Sequence, residues 1–119
     1  MNWYLAKMVY RIICGDGNHT PQFDEQLRLI RAEDELHAFQ KARLLGDREQ
    51  DNFLNALQKP VQWKFIDVCE LHILDTMIDG VEIYSQIVEH NDAAHFIHNT
   101  NTRATHILQT CMCKCLPVN

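Results

Sequence analysis

The sequence has no long apolar run. No window approaches the ~18 apolar residues of a membrane helix, and the apolar start of the chain is interrupted by Lys7 and Arg11. These charges argue against a signal peptide, because a signal peptide needs an uninterrupted apolar stretch. We therefore expect a cytoplasmic protein with no membrane partner.

Basic residues are also in short supply. The 11 lysines and arginines are outnumbered by 16 acidic residues, which leaves a formal net charge of −5. The basic residues are scattered along the chain, whereas proteins that bind nucleic acid through its phosphates need a basic surface. No nucleic-acid partner is expected.

Common signatures of catalysis and cross-linking are missing. The chain has no GxSxG elbow, no HExxH pattern and no Gly-Lys-Ser/Thr of a phosphate loop. Its five cysteines are an odd number, which argues against a disulfide framework. The most interesting acid–base candidates are Asp67 and Glu70, which end an apolar strand, although a solvated strand end explains them more simply. The pattern favours a non-enzymatic protein, and no cofactor is expected.

The stretch 23–46 is predicted to form a strand followed by a helix, and the rest of the fold is arranged around this unit. Leu27 and Leu29 alternate with polar residues, which predicts a half-buried strand. After Ala32 the apolar residues recur at helical spacing. Acidic residues at 33–35 suit the positive end of the helix dipole, and Gly46 is predicted to end the helix.

Strand patterns precede and follow this unit. Residues 3–14 are apolar on both faces, which is typical of a central strand. In the strand at 61–71 the apolar phase slips by one residue between Phe65 and Ile66, and this slip predicts a β-bulge or a twist. A short strand is favoured over a helix extension at 52–56, and a further strand is predicted at 81–89.

The last predicted element is a helix with Asn91 or Asp92 as its N-cap. The full prediction is an α+β fold with an antiparallel sheet of four to five strands and two main helices, in the order β-β-α-(β)-β-β-α. Residues 1–110 would form a single α+β domain, and 111–119 a flexible cysteine-rich tail.

Four segments together resemble a known family. They are the opening WYLAKMVYRI, the unit FDEQLRLIRAEDELHAFQKARLLG, the stretch VQWKFIDVCEL and the turn-strand IDGVEIYSQI. The set is similar, over about residues 2–90, to small bacterial proteins catalogued as domain of unknown function 4288. The resemblance implies a bacterial host and a hairpin beginning near Phe53, and it implies no activity, cofactor or catalytic residue.

Aromatic side chains on the predicted strands form the first candidate site. They could line a ligand groove or a protein interface, where Trp and Tyr are favoured, or they could form the core of the sheet. The two-faced first strand favours an interface between two copies of the chain. The candidates are Trp3, Tyr4, Tyr10, Trp63, Phe65 and Tyr84.

The second candidate site lies near the C-terminus. His95 and His98 are three residues apart on the last helix, and Cys111, Cys113 and Cys115 form a CxCxC pattern whose thiolates can bind zinc or Cu(I). A solvated helix face and a plain tail explain the same residues without a metal. The leading hypothesis is therefore a homodimeric protein-interaction or regulatory module, and the alternative is a small ligand- or metal-binding protein that uses this His/Cys region.

Overall fold

The computed structural model describes residues 1–115. The described elements follow one another in the order β-β-α-β-β-α. The strands are β1 (Asn2–Cys14), β2 (Gln22–Ala32), β3 (Asp51–Leu54) and β4 (Pro60–Leu74), and the helices are α1 (Glu35–Arg48) and α2 (Ala93–Cys115). The predicted α+β class is confirmed. The chain divides into two compact units, one spanning Met1–Ser85 and the other beginning at Gln86.

All four strands belong to one antiparallel sheet, in the spatial order β2-β1-β4-β3. The central strand β1 pairs with β2 on one side and with β4 on the other. Both faces of a central strand are usually covered at least in part, which explains why β1 carries apolar side chains on both of its faces. The edges of the sheet are β2, with 11 residues, and β3, with four.

The predicted phase slip in β4 is confirmed as a bulge. Tyr10 pairs with Phe65 and Val9 pairs with Asp67, so Ile66 is an extra residue with no partner in the β1 ladder. An extra residue of this kind sends the following side chains to the opposite face. A second register shift follows further along the same pair of strands.

Helix α1 begins at Glu35, so that of the acidic residues 33–35 predicted for its first turn only Glu35 lies in it. The side chain of Asp34 accepts a hydrogen bond from the backbone N–H of His37, 2.8 Å away, as an N-cap does. Lys41 then ties the helix to the sheet, since its Nζ donates to the carbonyl of Arg31 over 2.8 Å.

The prediction that Gly46 ends α1 is wrong, because the helix continues to Arg48. Gly46 is buried inside the helix, directly against the ring of Phe65. A Cβ at this position would lie 2.6 Å from Phe65 Cδ1 and closer still to two other ring atoms. The glycine therefore serves a close approach between helix and sheet and has no capping role.

The core lies between α1 and one face of the sheet. Alternate residues of β1 point into it, and two alanines of α1 let the helix approach closely. Its fully or nearly fully buried members are Tyr4, Ala6, Met8, Tyr10, Ile30, Ala32, Ala38, Ala42 and Val68.

Two of the remaining strand predictions have different outcomes. The short strand is confirmed as β3, which forms a hairpin with β4. The further strand predicted at 81–89 is not formed, since residues 81–90 form no strand. Tyr84 of this segment contacts the side chains of Glu70 and His72, which both belong to β4. The segment thus contacts the sheet through side chains instead of extending its ladder.

Helix α2 begins after Asp92, whose carboxylate accepts from the N–H of His95 over 3.1 Å, so the predicted cap is confirmed. The helix includes Cys111, Cys113 and Cys115. Residues 116–119 of the predicted tail lie outside the described residues. The division into a domain at 1–110 and a tail at 111–119 stays a prediction.

Candidate interaction surface

Three of the six candidate aromatic residues lie in the core. Tyr4 and Tyr10 are 2% and 1% exposed beneath α1, and the ring of Phe65 packs 5.4 Å from that of Tyr10. The Tyr10 hydroxyl donates to the carbonyl of Gly46 over 3.0 Å, and burial raises the pKa of this phenol. These residues hold α1 on the sheet and are not available as a binding surface.

Trp63 is partly buried on the same face and joins a chain of polar contacts. Its Nε1 donates to Asp24, 3.2 Å away, and Gln26 donates to the same carboxylate oxygen. Arg28 in turn donates to Gln26 and makes two hydrogen bonds, of 2.7 and 3.0 Å, to Glu49 at the end of α1. This series of polar contacts fixes β2 to the C-terminal end of α1.

The opposite face of the sheet carries exposed apolar side chains on its β2 half. Phe23, Leu27 and Leu29 are 55%, 57% and 53% exposed. The register of β1 and β2 places Trp3, which is 41% exposed, on the same face. We call these four residues the open face. The open face therefore exposes aromatic and leucine side chains that would lose water on binding a partner, which is favourable.

Sequence reasoning identified β2 but not the role of its leucines. Alternation predicted a half-buried strand, and β2 is one, but Leu27 and Leu29 point to its exposed side. The alternate residues Gln26, Arg28 and Ile30 face α1. The signal was ambiguous because period-two alternation separates two faces without telling which of them is covered.

A charged cluster adjoins the open face. Lys7 lies between Glu25 and Glu70, with its Nζ 3.3 Å from a carboxylate oxygen of each. Glu70 also accepts a hydrogen bond from the Tyr84 hydroxyl over 2.9 Å, and His72 is 3.6 Å from the same carboxylate. The cluster ties the segment after β4 to the sheet.

The protonation behaviour of this cluster suits a structural role. Hydrogen bonding, above all to Glu70, raises the pKa of Lys7, and the hydrogen bond from Tyr84 is the main cause that lowers the pKa of Glu70. Both pKa values move away from neutrality, whereas general acid–base catalysts are tuned towards it. Asp67, the other acidic candidate, is paired with Arg43 through two contacts of 3.0 Å, and this pairing lowers its pKa.

The structure does not bring the His/Cys candidates together. His98 and Cys111 are 13 residues apart on one helix, so a rise of 1.5 Å per residue separates them by about 20 Å. Cys111 and Cys115 are four residues apart and share a helix face, but Cys113 points away from both. Within residues 1–115, no group of three or more His, Cys, Asp or Glu side chains could hold a metal ion.

The histidines near the start of α2 have other contacts. The ring of His90 stacks on that of His95 with 6.0 Å between centroids, and it lies 5.7 Å from the ring of Phe96. Nε2 of His95 is 3.1 Å from Nδ2 of Asn99 on the next turn. Metal binding by His95, His98 and the three cysteines stays a prediction.

The fold is thus an α+β unit with one helix on a four-stranded antiparallel sheet, and its open face defines a candidate binding module. The chain belongs to the family described as domain of unknown function (DUF4288), which matches residues 3–85. These residues coincide with the first compact unit, 1–85. No curated protein matches the chain, and no solved structure matches it. Neither of the helices described in residues 1–115 is long and apolar enough to cross a membrane.

Proposed function

We propose that this protein is a non-enzymatic interaction module that acts as a homodimer and binds a protein partner through the sheet. The observation that carries the proposal is the open face, where three large apolar side chains of β2 are each more than half exposed. A patch of this kind, next to charged residues, is typical of protein interfaces. A cytoplasmic location is part of the proposal, because five thiols suit a reducing compartment.

The electrostatics of the sheet support binding over catalysis. Each acidic group that sequence analysis singled out for acid–base chemistry forms an ion pair, Glu70 with Lys7 and Asp67 with Arg43. The formal net charge of −5 favours a protein partner over a nucleic acid.

Substitution of one open-face leucine tests the proposal. Leu29→Ser removes an apolar side chain that dimerisation would bury in both copies. At about 1 kcal/mol for the exposed half of each leucine, the two copies together give about 2 kcal/mol, or a roughly thirty-fold rise in the dimer Kd. Sedimentation equilibrium on the full chain measures this Kd directly.

Leu44→Ser is the matched control, since Leu44 is 63% exposed on α1 and belongs to no proposed surface. We expect it to leave the dimer Kd unchanged. An equal effect of the two substitutions, or a wild-type chain that is monomeric at all concentrations, would refute a dimer built on the open face.

A further inference from the structure

Strand β2 is an edge built for pairing with another strand. It has 11 residues and, within residues 1–115, pairs with β1 alone, whereas the other edge, β3, has four. Natural edges are commonly protected by charged side chains, above all lysine, by proline, by short length or by a covering helix or loop. Within residues 22–32, β2 has neither lysine nor proline. A partner strand would find backbone donors and acceptors along this edge, although the carbonyl of Arg31 already accepts from Lys41 of α1.

The side chains of β2 on the open-face side form a pattern that complements itself in reverse. Reading along the strand, Glu25, Leu27, Leu29 and Arg31 alternate with residues that point towards α1. In an antiparallel pair of identical strands with a two-fold axis at Arg28, Leu27 of one copy lies opposite Leu29 of the other. Glu25 then lies opposite Arg31. Each pair joins groups that attract one another, and the symmetry makes every pair twice.

The charged residues at the ends of this pattern can each take a further partner. Arg31 forms no ion pair with an acidic side chain in residues 1–115, and its guanidinium lies 5.6 Å from the centroid of the Trp3 ring. Glu25 has a side chain that is 60% exposed and contacts Lys7 through Oε1, so Oε2 can accept from another donor. A partner copy would supply that donor.

The residue on the axis is compatible with this arrangement. Two copies of Arg28 would face one another, but each is already bound by two hydrogen bonds to its own Glu49. This pairing neutralises most of the local charge. The two α1 helices would lie on the same side of a joined sheet, because an axis perpendicular to the sheet keeps each face on its own side.

Other symmetric registers fit less well. An axis at Leu27 sets Glu25 opposite Leu29 and Arg31 opposite Phe23. An axis at Gln26 sets Glu25 opposite Leu27. In both, a charge faces an apolar group that cannot satisfy it. Of these three registers, the axis at Arg28 is the one that sets opposite charges and leucines against one another on the open-face side.

We propose that two copies of this chain pair edge to edge through β2, antiparallel, with the two-fold axis at Arg28, to form a continuous eight-stranded sheet. The proposal rests on the homodimer put forward above and specifies where the copies join. Leu27 of each copy then packs beside Leu29 of the other and buries part of its exposed surface, so the effect of Leu29→Ser on the dimer Kd should fall below the roughly thirty-fold value that burial of the whole exposed half gives.

A scan of single cysteines tests the register. In a full chain whose five native cysteines are serine, Gln26→Cys, Leu27→Cys and Arg28→Cys are oxidised mildly and resolved by non-reducing electrophoresis. Residues opposite one another have Cα atoms roughly 4.5–5.5 Å apart, within the range of a disulfide. With the axis at Arg28, the two copies of position 27 are roughly 8 Å apart, too far to be bridged. We therefore expect an efficient cross-link at position 28 alone, with Leu44→Cys on α1 as the control for random collision.

Each other result has a defined meaning. Stronger cross-linking at position 26 or 27 would overturn the register. A dimer by sedimentation that cross-links at none of the three positions above the Leu44→Cys level would overturn edge pairing with the axis at residues 26–28, the proposed one included, while leaving the homodimer intact. A monomer by sedimentation would remove the homodimer itself.

A charge reversal provides an independent readout. Arg31→Glu turns both Glu25–Arg31 pairs into repulsions. We expect the dimer Kd to rise roughly tenfold at low salt and by a smaller factor at high salt, because salt screens the repulsion. Lys59→Glu makes the same change of charge in the turn before β4, beside the other edge, and should leave the Kd unchanged. Equal effects of the two substitutions would overturn the pairing of Glu25 with Arg31.

Discussion

Replacing Gly46 by alanine tests how closely α1 approaches the sheet. At a solvent-exposed position inside a helix, this change stabilises the folded protein by up to about 1 kcal/mol, because alanine has a higher helix propensity than glycine. Here the new Cβ would overlap the Phe65 ring, which is itself held against Tyr10. Overpacking of this kind costs about 1–3 kcal/mol. A shift of the helix would also weaken the hydrogen bond from Tyr10 to the Gly46 carbonyl, at about 1 kcal/mol.

The sum is a destabilisation of about 1–3 kcal/mol. Urea unfolding followed by circular dichroism measures the free energy of unfolding of Gly46→Ala against wild type. Gln40→Ala, at an exposed position of the same helix, is the control and should change little. In a Phe65→Leu background the smaller side chain relieves the overlap, so the cost of Gly46→Ala should fall. A stabilised Gly46→Ala protein would refute the close approach as the reason for this glycine.

Three further changes have defined outcomes. Tyr10→Phe removes the buried donor to the Gly46 carbonyl and should lower the free energy of unfolding by about 1 kcal/mol in the same urea assay. Asp34→Ala removes the N-cap of α1 and should cost about 1 kcal/mol, whereas Asp34→Ser should recover most of it. Hydrogen bonding to Arg28 lowers the pKa of Glu49 in the folded protein. The stability from this pair is therefore present above the ordinary glutamate pKa and is lost as the pH falls through the lower folded-state value. Glu49→Gln should flatten this part of the acid-unfolding curve, and an unchanged curve would contradict the pairing.

Much of the fold could be predicted because local patterns and tertiary packing agree. The two-faced β1 is the central strand, the change of period near Ala32 marks the passage from β2 to α1, and the slip at Phe65 marks a bulge in β4. Each of these signals is set by neighbours in sequence, which is why it can be read from one chain.

The misses depend on contacts between residues distant in sequence. Gly46 matches a helix stop in its local sequence, and only its position against Phe65 explains it as an interior residue. Residues 81–89 alternate like a strand, yet Tyr84 meets the side chain of Glu70 and no ladder forms. Alternation is necessary for a half-buried strand but does not provide a partner for its backbone.

The candidate surface could be predicted only in part for the same reason. Aromatic residues were the natural candidates, but Tyr4 and Tyr10 point to the side of the sheet that α1 covers. The exposed leucines of β2 lie on the other side, and the choice between the two sides is made by where α1 packs. Composition and alternation carry no information on that choice.

The mass of the full chain in solution tests the central claim most directly. Light scattering across a range of concentrations should give twice the chain mass of 13.9 kDa at the upper end and a fall towards 13.9 kDa on dilution. Arg31→Glu should move this fall to higher concentration. A mass of 13.9 kDa at every concentration would contradict a homodimer joined through the sheet.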